Sequence, residues 1–140
     1  MRLNDWRATP EGGRHLTDRL VALIDPVAHA LGAESDTACH VVWGDQPDAR
    51  FQVLLATDAG LAILNVRVNV PQEGPRVSGR LVRWGRVQAG EVTIEAHSGH
   101  AQVSAQFEGQ VLQGLDAAGE RIAEWMIEVY RRVQWGTGAS

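Results

Sequence analysis

PQEGPRVSGRLVRWGRVQAG, residues 71–90, decides the architecture, because the segments on either side read more clearly and this one has two readings. As a strand its faces do not alternate cleanly: Val77 and Leu81 fall with Gly79 and Arg83, and Val82 and Trp84 fall with Ser78 and Arg80. Helical spacing fits better. Val77, Leu81 and Trp84 stand one and two turns apart, and Arg76, Arg80 and Arg83 make a second stripe at the same intervals. The spacing predicts a short amphipathic helix with an arginine edge. Gly79 and Gly85 weaken such a helix by about 1 kcal/mol each relative to alanine, so the strand stays open as the alternative.

Upstream, LAILNVRVNV (61–70) alternates, with Ala62, Leu64, Val66, Val68 and Val70 on one face and Asn65, Arg67 and Asn69 on the other. CHVVWGD (39–45) and RFQVLLATD (50–58) are rich in β-formers around the turn-prone DQPDA and predict a hairpin that leads into that strand. Before them, residues 13–32 place Leu16, Leu20, Leu23, Ile24, Val27, Ala28 and Leu31 at spacings of three and four, which predicts an amphipathic helix stopping at Gly32. Pro26 either kinks this helix or divides it, with Asp25 as the cap of a second piece.

Downstream, Val92, Ile94 and Ala96, then Ala101, Val103, Ala105 and Phe107, alternate around Ser98-Gly99 and predict a hairpin whose other face is polar. Residues 116–135 put Ala118, Ile122, Trp125, Met126, Val129, Tyr130 and Val133 on one stripe behind Asp116, a good N-cap. Glu128 and Arg132 form an i, i+4 pair in the favourable order. The expected fold is α+β, α-βββ-α-ββ-α: an antiparallel sheet of about five strands, an N-terminal helix, a short middle helix and a long C-terminal amphipathic helix.

At 140 residues the chain is expected to be a single domain, 1–140, with a disordered tail at 136–140. Its 44% apolar and 21% charged residues exclude the disordered and fibrous classes. No stretch is long and apolar enough for a membrane span, and the start MRLNDWRATP lacks a signal-peptide core, so the expected compartment is the cytoplasm. Every one of the 13 basic residues is arginine, which removes lysine Schiff-base chemistry and a Walker lysine. The single Cys39 rules out an intramolecular disulfide.

No catalytic spacing of the HExxH, GxSxG, CxxC, GxGxxG or Walker type occurs, and no enzyme activity, cofactor or metal is expected. His97 and His100 flank a tight turn with Glu95 near them, yet a metal site needs two further ligands; they read as a polar hairpin tip. Cys39 and His40, adjacent on a strand, face opposite sides and cannot act as a pair. His15 and His29 belong to the first helix. The tryptophans at 43, 84, 125 and 135 read as core. Arg67, Arg76, Arg80, Arg83 and Arg86 form the one basic cluster, with Trp84 among them, but a net charge of −4 argues against nucleic acid as the partner.

Five segments then carry a resemblance: LVALIDPVAHALG (20–32), ACHVV (38–42), RFQVLLATDAGLAILNVRV (50–68), GEVTIEAHSGHAQVSAQFEG (90–109) and LDAAGERIAEWMIEVYRRV (115–133). In their order and character they resemble the type III secretion chaperone fold and the YbjN-like proteins. That resemblance implies a homodimer that binds another protein, without cofactor or turnover. The expected partner or dimer surface is Val77, Leu81, Trp84, Arg76, Arg80 and Arg83, together with the strand at 61–70, because a small α+β domain leaves a sheet edge and a helix face open. If residues 76–87 are instead a strand, the chain is similar to the helix-grip fold of START and Bet v 1-like proteins, which enclose an apolar ligand. A third reading is a nucleic-acid module built on Trp84 and the nearby arginines.

Overall fold

Leu61–Val70 (β3) is the centre of a four-stranded antiparallel sheet of order β1-β2-β3-β4, with β1 Ala38–Val42, β2 Arg50–Ala56 and β4 Gly74–Val82. The computed structural model describes residues 1–138, with side chains through Gln134. The chain divides into two compact units, Met1–Val82 and Arg83–Ser140. The fold is α+β, as the patterning predicts, but the described residues form seven strands in two sheets.

In the first unit the apolar sets of the strands meet three helices, α1 Leu3–Arg7, α2 Pro10–His15 and α3 Asp18–Ala30. Leu20, Ile24 and Ala28 of α3 enter one core with Val41, Phe51, Val53, Leu55, Ala62, Leu64 and Val66. Pro26 lies inside α3, which neither divides there nor uses Asp25 as a cap; Thr17 caps it, accepting from the Leu20 N–H at 3.3 Å. Trp6 of α1 is buried and donates from Nε1 to the Cys39 carbonyl at 2.8 Å, while the Cys39 N–H donates to the Met1 carbonyl. The outer edge of β1 is thereby covered by the N-terminal segment.

The expected middle helix is absent. Residues 74–82 are β4, paired with β3 through Val66↔Val77, Leu64↔Gly79 and Ala62↔Leu81. The alternation that looked broken is complete once Gly79 is counted with Val77 and Leu81 on the helix side. A Cβ at Gly79 would stand 2.7 Å from Val27 Cγ1 and 2.9 Å from Leu31 Cδ1, so α3 approaches the sheet where the side chain is missing. The glycine that reads as a gap in the pattern is a packing position. Only Trp84–Arg86, a single 3-10 turn, keeps the helical character of the stretch.

In the second unit β5 Ala89–His97, β6 His100–Phe107 and β7 Gln110–Leu115 form a three-stranded antiparallel sheet, and α4 Ala117–Gly138 packs on it. Both hairpins turn through two residues with positive φ, Ser98-Gly99 (52° and 80°) and Glu108-Gly109 (49° and 78°), the pattern of a type I′ turn. Ile122, Trp125, Met126 and Val129 bury against Val103, Ala105, Phe107 and Leu112, with the Phe107 and Trp125 rings 6.0 Å apart. Arg132 Nε meets Glu128 at 2.8 Å, the expected pair. The expected tail at 136–140 overlaps α4 as far as Gly138 and otherwise lies outside the described residues, as does the side chain of Trp135.

Asp116 does not cap α4 with its side chain. Its φ is 51°, and its carboxylate accepts from the Ala101 N–H at 3.1 Å and lies 2.8 Å from His100 Nδ1. These contacts, the His100 hydrogen bond first and the Ala101 N–H next, hold the Asp116 carboxyl below the usual carboxylate range. A carboxyl with a depressed folded pKa adds stability above its unfolded pKa and loses it as pH falls through the folded value. Asp116→Asn is therefore expected to flatten the acid limb of a thermal-denaturation series run from about pH 5 down to about pH 2, and to leave an unchanged limb if the contact contributes nothing.

Candidate functional site

The six residues expected to form one partner surface are separated by the structure. Val77 is half-buried against the core of the first unit, and Leu81 shares its face at 41% exposure. Arg76 and Arg80 point to the opposite face of β4. Trp84 is buried at 7% exposure, and Arg83 is exposed in the second unit. The reason is the period: helical spacing gathers positions 76, 80 and 83 and positions 77, 81 and 84, whereas a strand gathers alternate residues. The strand at 61–70 is also unavailable for strand addition, since β3 is paired on both sides.

Strand pairing builds a different constellation. Arg50 of β2 stands opposite Arg67 of β3, and Arg67 stands opposite Arg76 of β4, on the face turned away from the helices. The next row inward on that face is Gln52, Asn65 and Ser78, in which Gln52 Nε2 donates to Asn65 Oδ1 at 3.0 Å. Arg80 follows one row further on, opposite Ile63. All four arginines are exposed, and no acidic residue of these strands shares the face. Arg76 reaches Glu73 of the adjoining turn at 3.7 Å, a solvent-exposed pair worth little. Among the described residues Arg50, Arg67 and Arg80 make no ion pair.

Like charges directly opposite each other across adjacent strands are destabilising, and Arg67 faces one on either side. The row is thus not explained by folding. Its backbone span is about 10 Å, two interstrand spacings, and each guanidinium offers a planar fork of donors suited to carboxylate or phosphate. Comparison with protein-family models, with curated proteins and with solved structures finds no match. The reading of the face rests on its own chemistry.

Other candidates are weaker. Cys39 is buried at 2% exposure, and burial pushes its thiol pKa far above the ordinary value, away from nucleophile chemistry. No group of three or more His, Cys, Asp or Glu side chains placed to share a metal occurs among the described residues, and His100 is engaged with Asp116. His15, at the end of α2, lies 3.3 Å from Asp48 and tilts against Trp43 with ring centres 5.5 Å apart, within an aromatic cluster that continues to Trp6 and Phe51. In the second unit a cleft of about 470 Å³ is lined by Gln88, Gly90, Gln106, Phe107 and Gln110, and its carboxylate, Glu108, is occupied by the Gln88 N–H at 2.9 Å. No helix of the described residues is long and apolar enough to cross a membrane.

Arg67, Arg76 and Arg80 were visible in the sequence as part of a basic cluster. Arg50 was not, because it lies in a different stretch and joins only through the register of β2 with β3.

Proposed function

We propose that this chain is a non-enzymatic protein-binding domain, acting in the manner of the YbjN-like and type III secretion chaperone-like proteins it resembles, as a homodimer, and that it meets its partner through the arginine-bearing face of the four-stranded sheet. The observation that carries the reading is the cross-strand row Arg50, Arg67, Arg76, whose repulsion the fold tolerates without any acidic strand residue on that face to offset it. A surface arrangement that costs stability is where a binding role is expected. Light scattering of the purified protein is expected to give twice the 15.2 kDa chain mass, with a stoichiometric protein partner retained by the parent chain and lost by the pair Arg67→Gln and Arg76→Gln. A monomer that holds its partner equally well without those two arginines contradicts the reading.

A second reading draws on β4 itself. With residues 74–82 a strand, the order is a run of seven strands followed by a long helix, which is similar in sequence order to the helix-grip proteins and their apolar ligands. A lipid of defined mass carried by a monomer in native mass spectrometry supports that reading over the first.

A further inference from the structure

We infer that the occupant of the arginine face is an acidic, extended segment of a protein rather than a nucleic acid; this rests on the reading of that face as the binding surface. Four guanidinium groups with no acidic strand residue among them, in a chain whose net charge is −4, select an anionic partner over a neutral one.

The choice between anions follows from what surrounds the arginines. Proteins that hold single strands on a sheet stack bases on exposed aromatic rings, whereas the neighbours of Arg50, Arg67 and Arg76 on this face are Gln52, Asn65 and Ser78, and the row of Arg80 continues through Ile63, Leu54 and His40, all buried. Trp84, the ring nearest the cluster in sequence, is buried. A peptide needs no such platform. An unbroken run of Asp or Glu in an extended chain advances about 3.4 Å per residue, so three or four residues cover the row of about 10 Å. The fork of each guanidinium matches a carboxylate with two parallel hydrogen bonds, a pairing lysine does not provide. Asn65 and Ser78 lie one row away on the same face and add polar side chains beside the row.

The test uses the full chain and three fluorescein-labelled probes: a ten-residue oligoglutamate, a ten-residue neutral peptide of alanine and glutamine, and a ten-nucleotide oligothymidylate. Anisotropy titrations at about 50 and 200 mM salt are expected to show oligoglutamate binding that weakens with salt and exceeds both other probes at least tenfold. Arg67→Gln and Arg76→Gln are each expected to weaken it at least tenfold, and Arg131→Gln, an exposed arginine of α4, to leave it unchanged. Tighter binding of oligothymidylate, lost with Arg67→Gln, overturns the acidic-peptide assignment and leaves the arginine face standing. Oligoglutamate binding indifferent to Arg67 and Arg76, or binding of no probe, overturns both.

Discussion

Trp6→Ala is expected to lower the unfolding free energy of the first unit by about 3–5 kcal/mol, the range for deleting a large buried aromatic side chain. Trp6 is 3% exposed, meets the His40 ring edge-on at 5.1 Å and satisfies the Cys39 carbonyl at 2.8 Å. Alanine leaves a cavity and strips that carbonyl of its indole donor, so the cavity term and the hydrogen-bond term add. It also loosens the cover over β1, whose freed edge is a template for pairing with another chain. Urea denaturation, followed by hydrogen exchange of the β1–β4 amides, measures the loss. Trp6→Phe, which keeps most of the volume and drops only the donor, is expected to cost less than half as much. A loss under about 1 kcal/mol for alanine means that α1 is not docked as described.

Gly12→Ala is the second large effect, and it acts on the same joint from the other side. A Cβ at Gly12 would lie 1.6 Å from the Trp6 carbonyl oxygen and 2.5 Å from its carbon, so backbone, not a movable side-chain tip, must shift. Thr9 closes the joint: its hydroxyl donates to the Trp6 carbonyl at 2.6 Å and accepts from the Gly12 N–H at 3.0 Å, capping α2. The expected cost lies at the upper end of the roughly 1–3 kcal/mol typical of overpacking. Gly13→Ala is the matched control, since its Cβ would find its nearest neighbour at 3.5 Å, ordinary contact; neutrality or a gain of up to about 1 kcal/mol is expected there. The double substitution Trp6→Ala with Gly12→Ala is expected to cost less than the sum, because both undo the docking of α1. Full additivity means that the two residues act independently.

These N-terminal elements were among the parts of the fold hidden in the sequence. Residues 3–15 carry no sustained apolar period: Pro10, Gly12 and Gly13 interrupt it, and the segment is held by single tertiary contacts such as the Trp6 indole. β3, by contrast, spans Leu61–Val70 as its alternation predicts, and α4 presents the expected stripe, because each carries a long apolar set that is buried over many residues. β7 was missed because Leu112 is its single buried residue, leaving no apolar alternation, and because its turn pair is the unusual Glu108-Gly109 in place of the Asn-Gly or Asp-Gly that usually marks such a hairpin. β4 was misread because Gly79 is silent in any hydrophobic pattern while filling a packing role.

The same limit applied to the candidate site. A basic cluster could be seen along the chain, but membership was decided by pairing: Arg50 enters from β2, Arg83 and Arg86 belong to the other unit, and Trp84 turns inward. Register is a property of three strands together, and no single segment encodes it.

On the proposed function, the arginine row serves a partner and not the fold. Arg67→Thr tests it most directly, in urea denaturation with and without the ten-residue oligoglutamate. Threonine suits a strand and removes the middle charge of three. Without peptide, the unfolding free energy is expected to hold or to rise by up to about 1 kcal/mol. Peptide at about 100 times the parent chain's dissociation constant is expected to stabilise the parent by about 2.7 kcal/mol and to stabilise Arg67→Thr by far less. A variant that is itself destabilised yet gains as much from the peptide as the parent chain contradicts the account.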